Sequence, residues 1–220
     1  MTFHLYSAPL SMFGMKVEIA LREKGIVPDI TMVAFDNALG YAPKHPEVLR
    51  INPKGQVPVL IHDGLGLYDS TQIFEYIEDL GLTPALWPAE VKARAAARQR
   101  EHASDEVFFP HIIKLMGQQD NLDGDIANAA RAAAQAYYVK TEAQLSGDFL
   151  VGDFSYADIA FFMAVLYGER LGAPLIEAAT PKLAAWRDRI FARPSVAPVM
   201  ARLVTYLEAN NRFVPPFMRR

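Results

Sequence analysis

The sequence predicts a mixed α/β domain over residues 1 to 81 followed by an all-helical bundle over residues 89 to 220. Three observations predict it. Up to Gly81, short β-type runs alternate with segments of helical apolar spacing in the order β-α-β-α-β-β-α. From Ala89 onward no segment carries a convincing strand signal, and alanine- and leucine-bearing stretches repeat at helical spacing. Between the two, residues 82–88 hold Pro84 and Pro88, which stop helices, and Leu86 and Trp87, which can pin a linker down.

Thr2 to Tyr6 is the first β run, and Ser7-Ala8-Pro9-Leu10-Ser11 is a loop. Phe13, Val17, Ala20 and Leu21 then mark a helix with Gly25 just past its end. Pro28 to Val33 reads as the second strand, and Asn37 to Leu49 as a loop with a short irregular helix. Val57–Ile61 and Leu65–Tyr68 flank Asp63-Gly64, a hairpin turn signal. Asp69 or Ser70 caps a third helix through Phe74, Ile77 and Leu80. In the second part Ala89–Met116 reads as one long helix and Asp125–Leu145 as an alanine-rich one. Ser155–Leu171 carries Ile159, Phe162, Met163 and Leu166, Thr180-Pro181 opens a helix that stops at Arg193-Pro194, and Ser195–Glu208 is the last.

Composition removes several function classes. With 22 basic against 25 acidic residues the net charge is −3, without the basic face that nucleic acid or an anionic membrane calls for. The absence of cysteine excludes disulfides, thiolate metal sites and a protein thiol nucleophile. The first residues lack the features of a signal peptide, and no apolar run reaches membrane-spanning length, so a soluble cytoplasmic protein is expected. His4, His45, His62, His102 and His111 share no metal-ligand spacing, and no metal is expected. There is no GxSxG elbow, and Gly64-Leu65-Gly66 reads as part of the hairpin rather than a dinucleotide loop.

What remains is a set of loops at one end of the α/β part. Ser11 precedes the first helix, where its hydroxyl either caps the helix or donates to an anion held at the helix N-terminus. Val57-Pro58 opens a strand with a residue that lacks a ladder donor. Asp69-Ser70 begins the third helix, where a capping box to Gln72 and a polar binding corner are both open readings.

Ser11, Lys44, Asn52-Pro53-Lys54-Gly55-Gln56-Val57-Pro58 and Asp69-Ser70-Thr71-Gln72-Ile73 together resemble the glutathione-binding segments of cytosolic glutathione transferases of the serine type. Phe149 to Asp158 is similar to the capping-box segment of the family's helical domain, and Pro181 to Pro194 to its late helices. The resemblance implies a thioredoxin-like glutathione-binding domain (1–81), a linker (82–88) and a helical domain (89–220) that contributes the electrophile pocket. It implies Ser11 as the residue that activates the glutathione thiol; Ser7 lies nearby with a poorer spacing. Val57 would pair its backbone with the cysteinyl part, Pro58 matches the family's cis-proline, and Asp69 with Ser70 would hold the γ-glutamyl end. Gln56 and Lys44 match contacts near the other end. The segment around Ser11 lacks the Ser-Ser-Cys of the zeta-type isomerases, and no cysteine replaces Ser11.

The function so implied is a detoxification-type transferase that uses glutathione as co-substrate, attacks a hydrophobic electrophile and works as a cytoplasmic homodimer. Met12, Phe13, Phe108, Phe109 and Ile112, with Phe213 and Phe217 near the C-terminus, are the aromatic and apolar groups expected near the electrophile, and core packing is the competing role for each. Ether lysis, peroxide reduction or dehalogenation on the same site, and a non-catalytic interaction protein of the same fold, are the alternatives.

Overall fold

The computed structural model describes residues 2–36 and 39–219. The chain divides into two compact units, Met1–Ala85 with Pro194–Ala209, and Leu86–Arg193 with Asn210–Arg220. The first is thioredoxin-like. Its elements are β1 (Phe3–Ser7), α1 (Met12–Glu23), β2 (Asp29–Met32), α2 (Pro46–Ile51), β3 (Val59–His62), β4 (Leu65–Tyr68), α3 (Ser70–Asp79) and, from far along the chain, the helix Ala197–Ala209. The four strands lie in the order β2-β1-β3-β4. β1 and β2 are parallel, as the α1 crossover requires, whereas β1–β3 and β3–β4 are antiparallel.

Burial explains why these segments take these forms. Val59 and Leu60 point to opposite faces of β3 and both are fully buried, so this central strand is covered on both sides. α3 is amphipathic, with Ile73, Phe74 and Ile77 inward. α1 is buried over most of its circumference, including Lys16 and Glu18. Lys24 ends it by donating to the carbonyls of Leu82 and Pro84 and pairing with Glu78 at 2.8 Å, which ties the start of the linker to α1 and α3.

The short helix expected within 37–49 is α2, which runs on to Ile51 with Pro46 in its first turn and the His45 ring accepting from the Glu47 N–H; Asn37 and Ala38 lie outside the described residues. Two sequence expectations change here. β3 begins at Val59 rather than Val57, because Pro58 offers no N–H to the ladder. The last helix falls in the first unit rather than with the rest of 89–220, since Arg202 pairs with Glu18 and the Ser195 hydroxyl donates to Glu23, both glutamates on α1.

The second unit is all-helical: α4 (Val91–Ala103), a π-helical turn (Ser104–Phe108), α5 (Phe109–Met116), α6 (Asp125–Gln144), α7 (Tyr156–Leu171), α8 (Pro181–Phe191) and a 3-10 turn (Pro216–Arg219), with Ala197–Ala209 of the first unit being α9. The single helix expected over 89–116 is interrupted by the π turn. Pro110 cannot donate, and the Phe109 N–H reaches back to the Ser104 carbonyl in a wide turn just before it. α7 is buried from Tyr156 to Gly168, as an apolar helix at the centre of a bundle must be. Around it Phe161 packs with Phe108, Tyr137, Tyr138 and Trp186 at ring distances of 5.1–6.5 Å within the cluster. Gly168 has no alternative there: a Cβ would meet the Tyr138 hydroxyl at 2.3 Å, and that hydroxyl donates to the Ala173 carbonyl.

Candidate active site

The strand register gathers three loops at one end of the first unit's sheet. Tyr6 of β1 faces Val59 of β3, and Val59 faces Tyr68 of β4. The residues just beyond each of these positions are therefore Ser7 to Ser11, Val57-Pro58 and Asp69-Ser70. An apolar cluster of Tyr6, Ala8, Val33, Val48, Val57 and Val59 lies beneath them.

Ser11 is the N-cap of α1, with extended backbone at φ −84° and ψ 100°, and its Oγ accepts from the Gly14 N–H at 3.0 Å. It is 6% exposed. Accepting that bond leaves the hydroxyl proton to donate to another group, at a helix terminus whose partial charge favours an anion. Ser7 is nearly as close to the same turn. A Cβ on Gly14 would stand 2.1 Å from Ser7 Oγ and 3.1 Å from Ser11 Oγ, so glycine at 14 is what lets both hydroxyls approach α1. Ser7 Oγ is buried with no hydrogen-bond partner among the described residues.

The second loop is organised by Asn52. Its amide donates to the Gln56 carbonyl at 2.7 Å and its Oδ1 accepts from the Lys54 N–H at 3.0 Å, closing the turn from 52 to 56. Gly55 sits in that turn at φ +60°, and the Lys44 chain crosses directly above it, where a Cβ would meet Lys44 Cδ at 2.5 Å. The Lys44 ammonium donates to the Lys54 carbonyl at 2.8 Å and keeps two further protons for an acceptor. The Gln56 side chain is exposed. The Val57–Pro58 peptide is cis, and the Val57 backbone lies outside the β3–β4 ladder, whose pairing starts at Val59.

Asp69 is the N-cap of α3 at φ +73°, in the left-handed region that few non-glycine residues adopt. Its Oδ1 accepts from the N–H groups of Thr71 and Gln72 at 3.1 and 3.3 Å. Both bonds fall on one oxygen, so the exposed carboxylate retains Oδ2 for an external donor. Ser70 beside it is buried at the first turn of the helix. Capping and ligand contact, posed as alternatives by the sequence, are thus compatible in one carboxylate.

The residues expected near the electrophile are distributed differently. Met12 is buried at the first position of α1. Phe13 is half-buried, with the Lys16 ammonium 5.2 Å from its ring centre. In the helical unit Phe108 is wholly buried among Tyr137, Tyr138 and Phe161, and Ile112 is wholly buried too, so both carry core packing. Phe109 rests edge-on against Tyr167 at 6.2 Å. Phe217 packs on Phe191 beneath the Arg187 guanidinium, and Phe213 is exposed. Asn52 opens the segment that carries the resemblance but is given no role of its own by it, and nothing in the sequence singles out Gly14.

Among the described residues no group of three His, Asp or Glu side chains could hold a metal ion, and no helix is long and apolar enough to cross a membrane. Family comparison matches residues 5–82 to the glutathione S-transferase N-terminal domain and residues 77–194 to the glutathione S-transferase C-terminal domain. Glutathione S-transferase U25 of Arabidopsis thaliana is 32% identical over 218 residues, covering 96% of this chain and 92% of the relative. Among solved structures, the tau class glutathione S-transferase from mango (Mangifera indica) superposes with a TM-score of 0.79 at 25% identity, covering 94% of this chain and 98% of that one. The β-etherase LigF from Sphingobium sp. strain SYK-6 superposes with a TM-score of 0.75 at 26% identity, covering 92% and 100%.

Proposed function

The chain belongs to the glutathione S-transferase family, with glutathione as co-substrate, and on that premise we propose that Ser11 activates the glutathione thiol for attack on a hydrophobic electrophile. The observation that carries this reading is the Ser11 hydroxyl itself. It is oriented by the Gly14 N–H and keeps its own proton at the positive end of α1. Lowering a thiol from its ordinary pKa of about 8.5 by two units requires about 2.7 kcal/mol. A hydrogen bond to a charged group contributes about 1.5–3 kcal/mol and a helix terminus about 0.3–1 kcal/mol more, so the two together suffice.

In the reaction the thiol proton leaves to solvent and the thiolate, receiving the Ser11 O–H, attacks the electrophilic carbon. A C–S bond forms and the leaving group departs with its electron pair. Asp69, through Oδ2, takes the γ-glutamyl ammonium, and the Ser70 hydroxyl its carboxylate. The Val57 backbone, set beyond the ladder by Pro58, pairs with the cysteinyl peptide group. Gln56 and the Lys44 ammonium meet the opposite carboxylate. Phe13, half-buried in the first turn of α1, contributes apolar surface for the electrophile. The working form is a cytoplasmic homodimer, a reading supported by the family resemblance.

The test is an ultraviolet titration of bound thiolate in wild type, Ser11→Ala and Ser7→Ala, with pH–rate profiles on an aryl halide. Ser11→Ala raises the thiolate pKa and slows turnover at neutral pH on the order of a hundredfold, with much less effect in alkali. Ser7→Ala changes both only slightly. An unaltered thiolate pKa in Ser11→Ala, or a larger shift in Ser7→Ala, removes Ser11 from this role.

A further inference from the structure

Resting on the reading of Ser11 above, we propose that Gly14 is a positioning residue for it and that positions 7 and 14 form a size-coupled pair. A small side chain at the end of β1 and none on the facing turn of α1 set the aim of the Ser11 hydroxyl. Gly14 is the third residue of α1 and is buried, and its N–H is the donor to Ser11 Oγ at 3.0 Å. Helix propensity alone does not explain a glycine there, since alanine is the stronger helix former. The neighbours do. A Cβ at position 14 would lie 2.1 Å from Ser7 Oγ, 3.0 Å from Ser7 Cβ and 3.1 Å from Ser11 Oγ. Rotating the Ser7 hydroxyl away still leaves its Cβ in the path, so β1 and α1 meet here with no room for a methyl group. The same methyl would press on the hydroxyl that the Gly14 N–H orients.

Neither side can retreat cheaply. Ser7 is held by the sheet, where it pairs with Met32 of β2 and its carbonyl accepts from the Val33 N–H at 2.7 Å. Beyond its first turn α1 is fixed by Val17, Ile19, Ala20 and Leu21, all fully buried. A displacement therefore falls on the segment between these anchors, residues 8–14, where the Ser11 N–H donates to the Ala8 carbonyl at 3.0 Å. Ser7 Oγ makes no hydrogen bond among the described residues, so what position 7 supplies is small size rather than a bond. A misplacement of about 1 Å costs on the order of a hundredfold in a reaction that depends on geometry, so the Ser11 hydroxyl is sensitive to a contact of this kind.

The experiment uses the full chain and follows the bound glutathione thiolate by ultraviolet titration, with pH–rate profiles on an aryl halide. Calorimetry of S-methylglutathione, which has no thiol to titrate, reports affinity separately. Gly14→Ala raises the pKa of the bound thiolate by about one unit, so turnover in mild acid falls about tenfold and recovers in alkali. S-methylglutathione affinity stays within about twofold of wild type, because the groups that hold the peptide are untouched. Ser7→Val enlarges the facing side, acts in the same direction and covers the case in which position 14 does not tolerate alanine. Ser7→Gly combined with Gly14→Ala moves the thiolate pKa back toward wild type, a rescue that a general loss of structure would not show. In a Ser11→Ala background Gly14→Ala shifts the thiolate pKa no further, because its effect passes through Ser11. If Ser11→Ala shifts the thiolate pKa while Gly14→Ala and Ser7→Val leave it at the wild-type value, the size-coupled pair is overturned and the Ser11 reading stands. If Ser11→Ala leaves it unaltered, the Ser11 reading falls and the role of Gly14 falls with it.

Discussion

Two serines begin the two most deeply buried helices of the chain, and they do opposite things. Ser155 precedes α7, and its N–H and hydroxyl both donate to Asp158 Oδ2 at 3.0 and 3.1 Å. Asp158 Oδ1 takes the Leu150 N–H and the Trp186 indole N–H at 2.9 and 2.8 Å. Every polar group there is spent on another part of the same unit. Ser11 precedes α1 and is also buried, yet its side chain makes one bond, as an acceptor, and beside it Ser7 Oγ makes none among the described residues. A closed network holds a fold together, whereas an open one at a helix N-terminus is chemistry left for a ligand. The difference lies in what the rest of the chain brings to the serine.

The largest expected effect breaks the closed end. Asp158→Ala leaves four buried donors without an acceptor and should cost roughly 3–5 kcal/mol of stability, read as a shift in the denaturant midpoint. Asp158→Asn probes the same site by pH. Burial pushes the Asp158 carboxyl above its ordinary range, while the bonds from Trp186, Leu150 and Ser155 pull it back only in part. The folded state therefore binds this proton more readily than the unfolded chain, and the stability from that binding falls as pH rises through the folded pKa. Thermal melts should show the wild-type margin over Asp158→Asn shrinking as pH rises above the ordinary carboxylate range of about 4.

At the open end the expected losses are of function. Ser11→Ala should cost only about 1 kcal/mol of stability, the worth of a cap, against its hundredfold effect on turnover. Asp69→Ala should weaken glutathione binding by about 1–3 kcal/mol in calorimetry, and some stability with it, because the same carboxylate caps α3. Lost stability with unchanged affinity would make Asp69 a cap alone. The smallest effect belongs to Ser7→Ala. Removing a hydroxyl that has no partner should leave the melting temperature unchanged or slightly raised, and a clear fall would reveal a partner for Ser7.

Much of this was legible in the sequence because it depends on near neighbours. Ser11 and Asp69 both cap the helices that follow them, a relation spanning two or three residues. The hairpin at Asp63-Gly64 and the stop at Pro194 are equally local. Failures of the reading came where a distant group decided the outcome. α9 left the helical bundle for α1, where Glu18 and Glu23 hold it, whereas the late start of β3 was local, set by the missing N–H of Pro58. Phe108 and Ile112 had the right chemistry for a substrate surface and went into the core, which no spacing rule distinguishes.

By itself the sequence determined the order of elements, the division between an α/β and a helical part, and the chemical inventory of the site: a hydroxyl at Ser11, a carboxylate at Asp69, a cation at Lys44 and no thiol anywhere. Local propensity and capping act over a few residues, so they are written in neighbouring letters. Only the tertiary structure decided which of those groups remain uncommitted. The Asp158 carboxylate is closed by Trp186, twenty-eight residues away, while the Ser7 hydroxyl is buried with no partner among the described residues. Whether a polar group has its partner depends on what the folded chain places within about 3 Å of it, and that is a property of packing rather than of order along the chain.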